Sequence, residues 1–179
     1  MKFGAPGSRG FVSFNENADD TIHQGIELGL DISLARNFLE ARGGELTWRN
    51  VYTFSDFNFD DDEQFGDNRI AGVPEHVYRG EIRYDQEGLL SIGLNLTWVM
   101  KSFYADFANT SSVPGYALLG FNAAFDLSDN IQLIVSGENL TNKRYIAGVS
   151  TNADQSQENG RIFVPGEGRA FYVGLIGKF

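Results

Sequence analysis

The side chains able to do chemistry are few and scattered in this sequence. His23 and His76 are the only imidazoles, and neither has a second ligand close by in sequence, so they are read as isolated residues rather than as a metal site. The run Asp60-Asp61-Asp62-Glu63 supplies carboxylate oxygens of the kind a hard cation such as Ca²⁺ takes. Its spacing is not that of a calcium loop, and it reads as a solvated loop tip. Serine, histidine and aspartate are all present, yet there is no Gly-x-Ser-x-Gly turn, His-Glu-x-x-His helix, phosphate-binding glycine loop or dinucleotide fingerprint. Cysteine is absent, which excludes disulfides and thiolate ligands. Neither an enzyme nor a bound metal or cofactor is expected.

The remaining charges are ordered, and the order is that of β-strands. From Ile22 to Leu34 the even positions read Ile, Gln, Ile, Leu, Leu, Ile, Leu, while the odd ones read His, Gly, Glu, Gly, Asp, Ser. A period of two places these sets on opposite faces of a strand. Leu90, Ile92, Leu94, Leu96, Trp98 and Met100 repeat the pattern. Weaker copies run through Leu46, Trp48, Tyr52 and Phe54, through Tyr78, Ile82 and Tyr84, and through Leu119 to Leu127. Further copies are Ile131, Leu133 and Val135, and then Phe171, Val173, Leu175 and Phe179. About seven strands are expected, or eight if Phe11 to Phe14 contributes a remnant.

Several of these segments reach about ten residues, long for a soluble strand and suited to crossing a bilayer at a tilt. The opposing face carries Glu27, Asp31, Arg49, Arg79, Glu81, Arg83 and Glu138, a poor lining for a dry core and a suitable one for a wet lumen. Connections alternate between tight, at Asp85 to Gly88 and Ser128 to Asn130, and long, at Asp56 to Glu75, Ser102 to Gly115 and Thr141 to Gly168. Short turns on one rim and long loops on the other are the layout of outer-membrane barrels. Aromatics near strand ends (Tyr52, Phe54, Tyr78, Tyr84, Trp98, Phe103, Tyr104 and Tyr116) are expected to form interfacial girdles. No run of about 20 apolar residues occurs, so no spanning helix is predicted. A net charge of −10 over 179 residues argues against a nucleic-acid partner. The first ten residues lack the apolar core of a secretory signal, so Met1 is expected to be a fragment boundary.

Four strings, in order, resemble the C-terminal barrel of TonB-dependent outer-membrane receptors. They are Thr21 to Leu28, Gly72-Val73-Pro74-Glu75-His76, Glu138-Asn139-Leu140-Thr141-Asn142-Lys143-Arg144-Tyr145, and Pro165-Gly166-Glu167-Gly168-Arg169. The resemblance implies an all-β, antiparallel transmembrane segment of seven to eight strands from a larger barrel of about 22. Residues 1–20 would be a partial strand or outer loop, and residues 21–179 the C-terminal barrel strands. It implies a Gram-negative outer-membrane location and energy-coupled uptake of a scarce nutrient, such as a ferric siderophore. It also implies partners: outer-membrane lipid, the barrel-assembly machinery, a plug domain and a TonB-type energy transducer. Phe171, Val173, Leu175 and Phe179 would form the terminal strand that the assembly machinery reads. Arg144, Tyr145, Arg161 and Phe163 would be outer-loop ligand contacts, and Glu27, Arg49, Arg79 and Glu81 lumen or plug contacts. The segment alone is not expected to transport. Two rival readings are a complete barrel of about eight strands with a structural or adhesive role, and a soluble lipocalin-like binder.

Overall fold

Alternating strands of this length can satisfy their backbone only by pairing with one another. The computed structural model, which describes residues 20–37, 43–157 and 162–178, shows them doing so. Strands β1 (Thr21–Arg36), β2 (Glu45–Phe59), β3 (His76–Gln86), β4 (Leu90–Val99), β7 (Tyr116–Ser128), β8 (Ile131–Glu138) and β11 (Ala170–Gly177) form one seven-stranded sheet in that order. Every neighbouring pair is antiparallel. The sheet is open: β1 and β11 are its two edges and do not pair with each other. Two short ribbons, β5 (Phe103–Tyr104) with β6 (Ser112–Val113) and β9 (Ile146–Val149) with β10 (Phe163–Pro165), lie in the long loops. They are too short to leave a periodic trace in the sequence. Phe11 to Phe14 falls outside the described residues.

Register carries the faces coherently across the sheet. Trp48 lies opposite Ile82, Ile82 opposite Leu94, Leu94 opposite Phe121, Phe121 opposite Gly137 and Gly137 opposite Phe171. The charged residues share the other face, with Asp31 opposite Arg49, Arg49 opposite Glu81 and Arg79 opposite Thr97. The apolar face is left uncovered: Leu28, Leu30, Leu94, Leu175 and Val173 are more than half exposed. A sheet in water hides such a face against a second layer. Here it lies bare over six strands, as a lipid-facing wall would.

The aromatic expectation is met in part. Tyr52, Tyr78 and Trp98 form one cross-strand row on the apolar face towards the long-loop rim. Tyr84 lies on the same face near the tight turn, where Gly88 takes a positive φ of 67° and Leu89 N–H bonds Gln86 C=O at 3.1 Å. Phe103 and Tyr116 depart from a girdle. Phe103 is buried in the long-loop core, and Tyr116, opposite Val99, points to the polar face. Asn50 interrupts the apolar row. Its Nδ2 reaches Leu30 C=O at 3.2 Å and its Oδ1 accepts from the Tyr78 hydroxyl at 2.6 Å, so a polar group on the apolar face is satisfied locally.

We predict that Leu94→Arg destabilises the sheet in lipid by about 2–4 kcal/mol, the cost of a cation on the lipid face of a barrel, whereas Ser136→Arg on the polar face leaves stability nearly unchanged. Urea unfolding in lipid vesicles measures both; equal effects would contradict the assignment of faces.

Candidate functional site: polar wall and long-loop rim

Most buried side chains among the described residues sit at the long-loop rim, not in the sheet. Val99, Phe103, Ala105, Val113 and Ile162 form a small core, with Val77, Tyr116, Ile146 and Val149 packed on it. Asp106, fully buried, is the polar centre of this rim. It accepts bonds from Thr110 N–H at 2.9 Å, Ser111 N–H at 3.0 Å and Gln155 N–H at 2.8 Å, and from the Thr110 hydroxyl. Burial pushes the Asp106 carboxyl up, but these four donors outweigh it and hold the group below the usual carboxylate range.

The contact ties loop 100–115 to loop 139–169. Phe107 N–H donates to Asn152 C=O and Ala108 N–H to Ala153 C=O, extending the tie. Asn109 joins the third loop by exchanging bonds of 2.9 Å with the backbone N–H and C=O of Arg69. Gly72 completes the junction. Its N–H donates to Tyr104 C=O, its φ is +79°, and a Cβ there would press on Thr151 and Val149. The three long loops are therefore one hydrogen-bonded body. Phe59, Phe65 and Phe107 stack beside it with ring centroids 5.0 to 5.9 Å apart.

Below the rim, the polar face carries a charge chain. Glu81 accepts from Asn122 Nδ2 at 2.9 Å and lies 3.9 Å from Arg49 and 3.7 Å from Arg83. Arg83 in turn donates to Asp85 at 2.9 Å. Glu81 on β3 and Asn122 on β7 meet across β4 only because Gly93 lies between them, where a Cβ would overlap the Glu81 carboxylate. Next to this chain, a hollow of about 540 Å³ is bordered by polar-face residues including Asn95, Thr97, Asn122, Glu138, Asn139 and Tyr145. The arrangement offers hydrogen-bond donors, acceptors and aromatic rings. Its partly exposed ion pairs position side chains more than they stabilise.

The family model for TonB-dependent-receptor-like β-barrels matches residues 3–140. This chain belongs to that family. It is also 25% identical over 135 residues to the probable TonB-dependent siderophore receptor PiuA of Acinetobacter baumannii, which covers 75% of this chain and 16% of that protein. Among solved structures, the siderophore receptor PiuA of Acinetobacter baumannii superposes with a TM-score of 0.67 at 21% identity, over 89% of this chain and 22% of that one. The ferric yersiniabactin uptake receptor FyuA of Yersinia pestis gives 0.69 at 21%, over 91% and 24%. At these identities the structural matches establish the fold. The chain spans about a quarter or less of the length of each of these relatives.

In the TonB-dependent receptor barrel, the residues singled out from the sequence fall in three places. Arg49, Arg79, Glu81 and Glu27 all lie on the polar face, but only Arg49 and Glu81 are joined, and Glu27 sits apart opposite Thr53. Tyr145 stacks on Tyr116 at 4.6 Å and Arg144 beside it is exposed, whereas Phe163 lies in the β9–β10 ribbon opposite Val149. Phe171, Val173 and Leu175 line the apolar face of β11 and are 61%, 72% and 69% exposed. Arg161 and Phe179 are outside the described residues. His23 stacks on Phe57 at 4.4 Å, while His76 bonds the Tyr52 hydroxyl and Glu75. In the acidic run, Asp62 caps its own turn by accepting from Gln64 and Phe65 N–H.

Sequence reading missed Asp106, Asn109 and Asn139. Asn139 alone had a signal, since it stands inside one of the family strings. It takes a left-handed φ of 47°, donates to the carbonyls of Lys143 and Glu167, and accepts from Lys143 N–H. It thereby closes the two ends of the last long loop.

Asp106→Ala removes the shared acceptor and is predicted to cost about 1–3 kcal/mol in the rim, read as faster hydrogen exchange at the Ser111 and Gln155 amides and easier proteolysis within loop 139–169. Because the folded carboxyl titrates below its unfolded value, its contribution is complete above the unfolded value and is lost as pH falls through the folded one. Exchange at these amides should therefore exceed that of sheet amides, relative to neutral pH, only under strongly acidic conditions. Gly72→Val, which forces a branched side chain to a positive φ, should loosen the same junction by about 1–2 kcal/mol or more; unchanged exchange would contradict it.

Proposed function

We propose that this chain forms the C-terminal wall and outer loops of an outer-membrane receptor that imports an iron chelate, of the ferric siderophore class, with energy from a TonB-type transducer. The observation that carries the reading is a one-layer sheet with a bare apolar face and a charged opposite face, in a chain whose family is that of TonB-dependent receptors. The names of its relatives, siderophore receptors from two genera, support the iron-chelate class.

In this reading residues 21–179 are barrel wall, residues 1–20 lead into it, and the location is the Gram-negative outer membrane. The role is transport, not catalysis. Outer-membrane lipid covers the apolar face. The two sheet edges pair with further barrel strands, since unpaired backbone is not tolerated in hydrocarbon. Phe171, Val173, Leu175 and Phe179 form the closing strand that the barrel-assembly machinery recognises. Glu27, Arg49, Arg79 and Glu81 face a plug domain or the substrate path, and Arg144, Tyr145, Arg161 and Phe163 belong to the ligand-facing loop. This segment on its own does not transport.

Uptake of radiolabelled iron tests the proposal in an iron-starved strain expressing the complete gene, offered a panel of ferric siderophores. The expected result is saturable uptake of at least one complex that a protonophore abolishes. Uptake indifferent to the protonophore, or uptake of none of the panel, would contradict it.

A further inference from the structure

Four arginines occur in the described strands, and three of them have a carboxylate within 4.0 Å. Arg36 has Glu45, Arg49 has Glu81, and Arg83 has both Glu81 and Asp85. The fourth, Arg79, is exposed on the polar face and has no such partner among the described residues. Its isolation is built into the register. Its cross-strand neighbours are Val51 and Thr97, neither of which carries charge. Glu81, the nearest acid along its own strand on that face, is already engaged by Arg49, Arg83 and Asn122.

What surrounds Arg79 is suited to a ligand. Thr97, directly opposite, borders the hollow of about 540 Å³, as does Tyr145 from the last long loop. No basic side chain lines that hollow; its charged groups are Glu138 and Glu167, and its amides those of Asn95, Asn122 and Asn139. Tyr145 rests on Tyr116, and the charge of Arg79 acts on the Tyr116 hydroxyl. Gly166 leaves the space the Tyr145 ring occupies. The result is a margin with one free guanidinium, a hydroxyl and a pair of stacked rings.

We propose that Arg79 is an anion subsite on the receptor wall, binding an anionic oxygen group of the imported chelate beside the Tyr116–Tyr145 pair. The inference rests on the receptor reading above. A guanidinium forks onto two oxygens of a carboxylate or a chelating oxyanion pair, and the rings offer a flat face to an aromatic or planar part of the same ligand. Since the chain as a whole carries a net charge of −10, an anionic ligand is not drawn in by the general field of this segment. A single unpaired cation then decides where its charge can rest.

The test uses the complete receptor purified from outer membranes, with two probes: the trianionic ferric complex of 2,3-dihydroxybenzoate and the neutral ferric complex of acetohydroxamate. Titration calorimetry on wild-type, Arg79→Gln and Arg79→Lys proteins reads the affinities, and thermal unfolding checks that the variants fold alike. The expected result is binding of the anionic complex that weakens about tenfold or more in Arg79→Gln, the value of a charge-assisted hydrogen bond. Arg79→Lys should lie between, and the affinity for the neutral complex should not change. Equal affinity of wild-type and Arg79→Gln for the anionic complex overturns the subsite while leaving the receptor reading intact. Equal loss for both complexes together with lower thermal stability assigns Arg79 to an internal carboxylate, such as one on a plug, and likewise overturns it. Binding of neither complex by the wild-type protein counts against the receptor reading, and the inference falls with it.

Discussion

A sheet one layer thick has no interior, and the rest of this structure follows from that constraint. Its backbone groups are satisfied sideways, strand to strand, and its side chains can only point to one surrounding or the other. Six cross-strand pairings keep a single register in which apolar residues share one face and charged residues the other. A slip of one residue in any pairing would exchange the faces of everything beyond it. Stability therefore depends on the medium: an apolar face this broad is unfavourable in water and favourable in hydrocarbon.

Because the sheet supplies no core, the rim builds its own. Asp106, Asn109 and Gly72 join three long loops whose apolar residues would each be too few to order a loop alone. The buried carboxylate is effective because it accepts from donors on two loops at once, and leaving those amides unpaired in a buried position is costly. The joined loops in turn hold Tyr145 against Tyr116 at the edge of the polar hollow. On the wall itself, Gly93 does the corresponding work by leaving room for Glu81 to reach Asn122.

The sheet was legible in the sequence because each strand residue is dictated by its face, and a face repeats every second position. The strand from Ile22 to Leu34 could be assigned from its own residues alone. The long-loop rim was not legible, because its contacts join residues remote in sequence: nothing around Asp106 announces Gln155, nor anything around Asn109 the backbone of Arg69. Aromatic residues misled for a related reason. Phe103 and Tyr116 stand near strand ends as girdle residues do, but the loops fold over that end and draw both inward. The lumen charges were legible as a set, whereas which of them pair was not. Arg49 and Arg79 look alike in sequence, and only the register gives one a carboxylate and the other a threonine.

The most direct measurement is the accessibility of single spin-labelled cysteines placed at each position of Leu90–Val99, in a protein that has no cysteine of its own, reconstituted in lipid. The account predicts a strict period of two, with Ile92, Leu94, Leu96 and Trp98 exposed to oxygen dissolved in the lipid and Ser91, Gly93, Asn95 and Thr97 shielded from it. Labels accessible to water-soluble quencher at both sets of positions, or with the two sets exchanged, would contradict it.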